Sequence, residues 1–178
     1  SPINAFMSWK EEFEVVFGNK KELRILNVQD ESINGNKYSF EAQWPLANMI
    51  LVNYESLPKF QDSIVKCLSF DSDTMIVYAE VHRVKGVEAQ RAIAALEIAD
   101  KVDYRYVLTG TPIPNGYLDV YNFLHILFKN EYQSYFGFEK STLKNPDNWE
   151  IEEINEKLRP YCWRTSKEDL GVPPADPD

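Results

Sequence analysis

Cysteine is scarce in this sequence: Cys67 and Cys162 are the only two in 178 residues, and they follow no metal-ligand spacing. A disulfide-built scaffold is thereby excluded, and two isolated thiols suit a reducing compartment, cytoplasmic or nuclear, better than secretion. No apolar run approaches the ~18 residues that a membrane span requires, and no basic-then-apolar segment opens the chain, so no membrane partner is expected. Glycine numbers only seven and none precedes lysine, so the phosphate-binding pattern Gly-x-x-x-x-Gly-Lys-Ser/Thr is absent. Positive charge is also short, with 19 Lys and Arg against 28 Asp and Glu for a formal charge of −9. Such a balance argues against a chain that grips nucleic acid by bulk electrostatics, because phosphate binding needs clustered cations. There is no internal repeat and no low-complexity tract.

What the chain does have is apolar patterning. Hydrophobic residues make up 44% and charged residues 26%, enough for one domain with a real core. Phe6, Trp9, Phe13, Val16 and Phe17 recur at helical spacing up to Gly18, a C-cap, with Ser1 or Asn4 as the N-cap. The runs 23–28, 49–54, 74–78 and 104–109 read as strands, the last three as parallel strands buried on both faces. Residues 30–37 read as a polar loop, and 55–70, 87–99, 117–128 and 151–158 as helices. Strands alternating with helices predict an α/β layered fold with a mostly parallel sheet flanked by helices. Residues 171–178, rich in proline, read as a linker or frayed end.

In such folds ligands gather at the carboxyl ends of the strands. Three segments stand there: Tyr54-Glu55, Ala79-Glu80-Val81-His82 and Thr109-Gly110-Thr111-Pro112. A carboxylate directly after a buried strand can take a proton from an attacking water, as a nucleotide hydrolase requires. Alone, Glu80 with His82 is a weak signal, since a solvated turn with an incidental charge cluster reads the same. A metal site from that pair lacks a third ligand at sensible spacing. Thr109-Gly110-Thr111 offers a tight turn with two hydroxyls beside it, which is also what a plain strand-to-helix turn offers.

Taken together, the segments resemble the Swi/Snf-like family of superfamily-two helicase-type ATPases. That family carries an Asp-Glu-x-His box continuing His-Arg-x-Lys, then Leu-Thr-Gly-Thr-Pro-x-x-Asn; this chain has Ala79 through Lys85, then Leu108 through Asn115. Pro2 with Trp9-Lys10-Glu11-Glu12-Phe13 is similar to the family's Pro, then Trp-x-x-Glu-Phe. Ile50 through Glu55 resembles its strand ending in Thr-Tyr-Glu, and Leu158-Arg159-Pro160-Tyr161 its Leu-Arg-Pro-Phe segment, which continues here to Leu170. Three departures stand out: the missing phosphate loop, Ala79 where the family has the Asp that holds magnesium, and Thr165 where it often has a second Arg.

The resemblance implies a RecA-like lobe over residues 1–170, incomplete at its N-terminal side, with 171–178 leading towards a missing second RecA-like lobe. It implies ATP and Mg as cofactors of the intact protein, with none expected in this fragment, and double-stranded DNA as partner. The activity it implies is that of a DNA-stimulated ATPase that translocates or remodels, with the isolated fragment inactive. Glu80 would orient and deprotonate the attacking water, and His82 would couple it to the loop Thr109, Gly110, Thr111. Backbone amides and hydroxyls around Ser8, Asn53, Tyr54 and Thr111 would meet a DNA phosphate track. No metal ligand is expected at Ala79. The alternative is a catalytically decayed lobe that acts as a DNA- or protein-interaction module.

Overall fold

Among the described residues every strand is followed by a helix, and the strands pair in parallel, as right-twisted α/β units do. The computed structural model describes residues 1–71, 73–81, 90–110 and 116–162. Helix α1 (Phe6–Phe17) precedes strand β1 (Ile25–Asn27), helix α2 (Lys37–Gln43), strand β2 (Met49–Leu51) and helix α3 (Leu57–Leu68). Strand β3 (Met75–Tyr78), helix α4 (Gln90–Asp100), strand β4 (Tyr104–Val107) and helix α5 (Tyr117–Phe128) follow. Helices α6 (Lys140–Lys144) and α7 (Asn148–Leu158), then the 3-10 turn Arg159–Tyr161, close the described part. The linker at 171–178 and residues 87–89 of the expected second helix lie outside the described residues.

Gly18 does end α1, at φ 53°, with its N–H donating to the Glu14 carbonyl. The expected N-cap is absent: neither α1 nor the short 3-10 turn before it, Ile3–Ala5, has a side-chain cap. Ser1 is engaged elsewhere. Its amino group donates to the Val52 carbonyl at 3.0 Å, and its hydroxyl accepts from Trp9 Nε1 at 3.1 Å, tying α1 to the end of β2. Helix α2 was not anticipated. Asn36 caps it, its Oδ1 accepting from the Tyr38 and Ser39 amides, and Phe40 anchors it between Trp44 and Phe60.

The sheet is divided rather than continuous. β1 pairs with β2 and β3 with β4, each in parallel, with Ile25 opposite Met49 and Met75 opposite Tyr104. The two pairs share one core, in which Tyr54, Tyr78, Phe40, Phe60, Ile98 and Val81 are buried. The rings of Tyr54 and Tyr78 stack 6.4 Å apart across the division.

Expecting β3 and β4 to be buried on both faces was an error. Met75, Tyr104 and Tyr106 are 59%, 61% and 54% exposed. Ile76, Tyr78, Arg105 and Val107 alternate with them, and it is this second face that turns to the helices. A second core, built from Val120, Leu124, Tyr132, Phe136, Leu143, Ile154 and Leu158, joins α5 to α6 and α7.

Candidate functional site

The carboxyl ends of β3 and β4 stay joined beyond the strands themselves. Leu108 donates its amide to the Tyr78 carbonyl at 2.9 Å, and Val81 donates to the Leu108 carbonyl at 3.1 Å. Ala79 and Glu80 are thereby held alongside Leu108, Thr109 and Gly110. Glu80 has φ +52°, a left-handed conformation that a residue with a Cβ rarely adopts and that surrounding contacts must enforce. Its half-buried carboxylate reaches towards the loop, so that a Cβ on Gly110 would sit 3.8 Å from Glu80 Oε1. The loop residues Thr109 and Gly110 are exposed.

Beneath this turn lies a tyrosine pair. The Tyr54 hydroxyl donates to the Ala79 carbonyl at 2.6 Å, and the Tyr78 hydroxyl to the Ala95 carbonyl of α4 at 2.7 Å. Burial, reinforced by Tyr54 nearby, pushes the Tyr78 hydroxyl far above its ordinary pKa, so it remains a donor at any working pH. Next to Tyr54, Asn53 accepts from Gln29 Nε2 at 2.9 Å and donates to Glu55 Oε2 at 3.1 Å. Glu55 in turn faces Arg91 of α4, 3.7 Å away.

The structure thus brings Glu80, Thr109 and Gly110 together, and it places Asn53 and Tyr54 close by but inside the fold. Asn53 is 3% and Tyr54 2% exposed. Both side chains turn inward, so the groups these two positions present outward are those of the backbone. Tyr54 fills the gap between the two strand pairs, and its hydroxyl is engaged with Ala79. Ser8 is exposed on α1. His82 and Thr111 lie outside the described residues. Sequence reasoning missed Gln29, Arg91 and the inward role of Tyr54. The near-complete apolar run that leads into Tyr54 was the available signal for its burial.

The described residues do not fit a metal ion. Ala79 has no side-chain ligand where the resemblance leads one to expect a carboxylate, and its carbonyl already accepts from Tyr54. Among the described residues no group of three or more His, Cys, Asp or Glu side chains could hold one.

The profile of the SNF2-related domain matches residues 1–176. The chain belongs to the SNF2-related domain family. Relatives of this SNF2-related domain include the Arabidopsis thaliana protein chromatin remodeling 5, 28% identical over 97% of the chain and 10% of the relative. A mouse SWI/SNF-related matrix-associated actin-dependent regulator of chromatin, subfamily A member 1, is 25% identical over 97% of the chain and 16% of that protein. Human chromodomain-helicase-DNA-binding protein 7 is 24% identical over 96% of the chain and 6% of that protein. The chain therefore spans less than a fifth of the length of these relatives. Among solved structures, the Sulfolobus solfataricus SWI2/SNF2 ATPase core in complex with double-stranded DNA superposes with TM-score 0.65 at 23% identity. That match covers 96% of this chain and 34% of the neighbour, and it establishes the RecA-like α/β fold. No helix among the described residues is long and apolar enough to cross a membrane.

Proposed function

We propose that this chain forms part of the first motor lobe of an ATP-dependent double-stranded DNA translocase or remodeller. Residues 1–170 would be the lobe, and 171–178 would lead towards a second RecA-like lobe. The observation that carries the reading is Glu80 in a left-handed turn at the end of β3, its carboxylate against Gly110, in a chain of the SNF2-related family. A carboxylate held there orients a water and takes its proton as that water attacks the terminal phosphate of ATP. His82 would link that event to Thr109, Gly110 and Thr111. Ser8, Thr111 and the backbone around Asn53 and Tyr54 would meet DNA phosphates, where neutral donors fix register without reading sequence. The solved neighbour, a SWI2/SNF2 ATPase core, is itself bound to double-stranded DNA. The intact protein would use ATP and Mg, the metal and the phosphate cradle being supplied by residues other than those of this chain. Its place of work would be the cytoplasm, or the nucleus if the organism has one. The test is ATP turnover by the intact protein with and without double-stranded DNA: stimulation by DNA supports the reading, and equal turnover counts against it.

Ala79 favours a second reading, a decayed lobe kept for binding DNA or a protein. Ala79→Asp in the intact protein separates the two. On the motor reading the restored carboxylate raises turnover, by up to a few powers of ten. On the decayed reading turnover stays absent. If the parent is already a brisk ATPase that Ala79→Asp leaves unchanged, the role assigned to position 79 is wrong.

A further inference from the structure

We infer that Tyr54 is a positioning residue for Glu80, acting through the Ala79 carbonyl; the inference rests on the reading of Glu80 as the water-activating carboxylate. Three of the hydrogen bonds among the described residues bracket the turn at the end of β3. Leu108 N–H to the Tyr78 carbonyl and Val81 N–H to the Leu108 carbonyl hold its two flanks. The third, from the Tyr54 hydroxyl to the Ala79 carbonyl, is different in kind. The Ala79 carbonyl belongs to the peptide unit that joins residues 79 and 80, and rotation of that unit relative to the Glu80 Cα is the φ angle of Glu80. A donor fixed on that oxygen therefore fixes φ of Glu80 at +52°. With the flanks held, a flip of that one peptide unit would carry Glu80 to an ordinary negative φ and swing its side chain away from Gly110.

The bond is well placed to do this. Tyr54 and Ala79 are 2% and 7% exposed, so water does not compete for the carbonyl. The Tyr54 ring is braced by the stacked Tyr78 ring and cannot swing out without opening the core. The residues on either side extend the grip. Asn53 holds Glu55, and Glu55 faces Arg91 in the first turn of α4, so residues 53–55 touch both ends of the segment 79–91. In this arrangement the Tyr54 side chain touches neither ATP nor the attacking water. It sets the geometry of the group that does.

The test compares Tyr54→Phe with Tyr78→Phe. Each removes one hydroxyl that is bonded to a backbone carbonyl in the same core, and only the first grips the 79–80 peptide. In the full chain, the φ-sensitive couplings of Glu80, read by NMR, should show positive φ in the wild type and in Tyr78→Phe, and a shift to negative φ in Tyr54→Phe. In the intact protein, Tyr54→Phe should lower kcat by roughly tenfold, as expected when the productive turn is populated about a tenth of the time, with KM for ATP unchanged. Glu80 couplings unaltered by Tyr54→Phe, or altered equally by Tyr78→Phe, overturn the inference, and so does a changed φ with unchanged kcat where Glu80→Gln abolishes turnover. If Glu80→Gln itself leaves turnover intact, it is the catalytic reading of Glu80 that fails, and the coupling measurement still decides whether Tyr54 sets the turn.

Discussion

His125 shows how one side chain can make the fold sensitive to pH. Its ring lies between those of Tyr121 and Tyr132, with centroids 4.0 and 3.9 Å away, and its Nδ1 is 2.7 Å from the Tyr121 carbonyl. A carbonyl only accepts, so Nδ1 carries the hydrogen. Burial holds the imidazole below its ordinary value of 6.5; the Tyr121 carbonyl opposes this, and the Lys140 cation adds to it. The folded state thus prefers neutral His125. Its contribution to stability is complete above the ordinary value and is lost as pH falls through 6.5 towards the lower folded value. Urea midpoints measured from pH 7.5 down to 5.5 should therefore decline in the wild type, and the decline should be shallower in His125→Phe. Parallel slopes for the two proteins would remove His125 as the cause. Neighbouring Tyr132, whose hydroxyl burial pushes up to about 12, stays a donor to the Phe138 carbonyl throughout this window.

Among the elements, those with long apolar periods were readable from sequence and those held by a single contact were not. α5 runs Tyr117–Phe128, the bounds its amphipathic pattern predicts, and α1 stops at Gly18 because only a left-handed residue could close it there. α2 escaped notice because seven residues with one fully buried side chain, Phe40, make no visible period. Its signal was the cap Asn36, placed after Asn34 and Gly35, both at positive φ. The faces of β3 and β4 were misread because a run of aromatic and β-branched residues looks alike whether one face is covered or two. Of the site, Glu80 and the Thr109-Gly110 turn were legible as residues that follow strands; the apolar run before Tyr54 signalled its burial, whereas its partner, the Ala79 carbonyl, belongs to a neighbouring strand pair that no local pattern encodes. Caps can be tested directly. Asn36→Ala should destabilise the chain by about 1 kcal/mol, since two α2 amides lose their acceptor. Asp147→Ala should do the same at α7, where Asp147 Oδ1 accepts from the Glu150 amide at 2.8 Å and Glu150 Oε1 from the Asp147 amide at 3.2 Å. A urea midpoint unchanged in either variant would show that the cap contributes nothing there.

At the scale of the whole molecule, charge and motif pull in opposite directions. A chain of formal charge −9 is repelled on average by a polyanion, and ~0.15 M salt screens that repulsion only beyond ~8 Å. This chain alone should bind DNA more weakly than the ~0.1 mM to 1 μM of ordinary non-specific binders, and without sequence preference. It should also bind Mg-ATP no more tightly than on the order of −5 kcal/mol, because neither a Gly-Lys loop nor a carboxylate at position 79 is there to hold phosphate or metal. Calorimetry that found micromolar affinity would contradict this. A motor that works nonetheless must draw its cations and its phosphate cradle from other residues and its water-activating carboxylate from here. The central claim is that Glu80 is that carboxylate, and the direct measurement is DNA-stimulated ATP turnover by the intact protein at saturating ATP, wild type against Glu80→Gln. Glutamine keeps the shape and removes the base, so turnover should fall by at least about a hundredfold while DNA binding is retained. Turnover by Glu80→Gln within a few-fold of a brisk wild type would contradict the account.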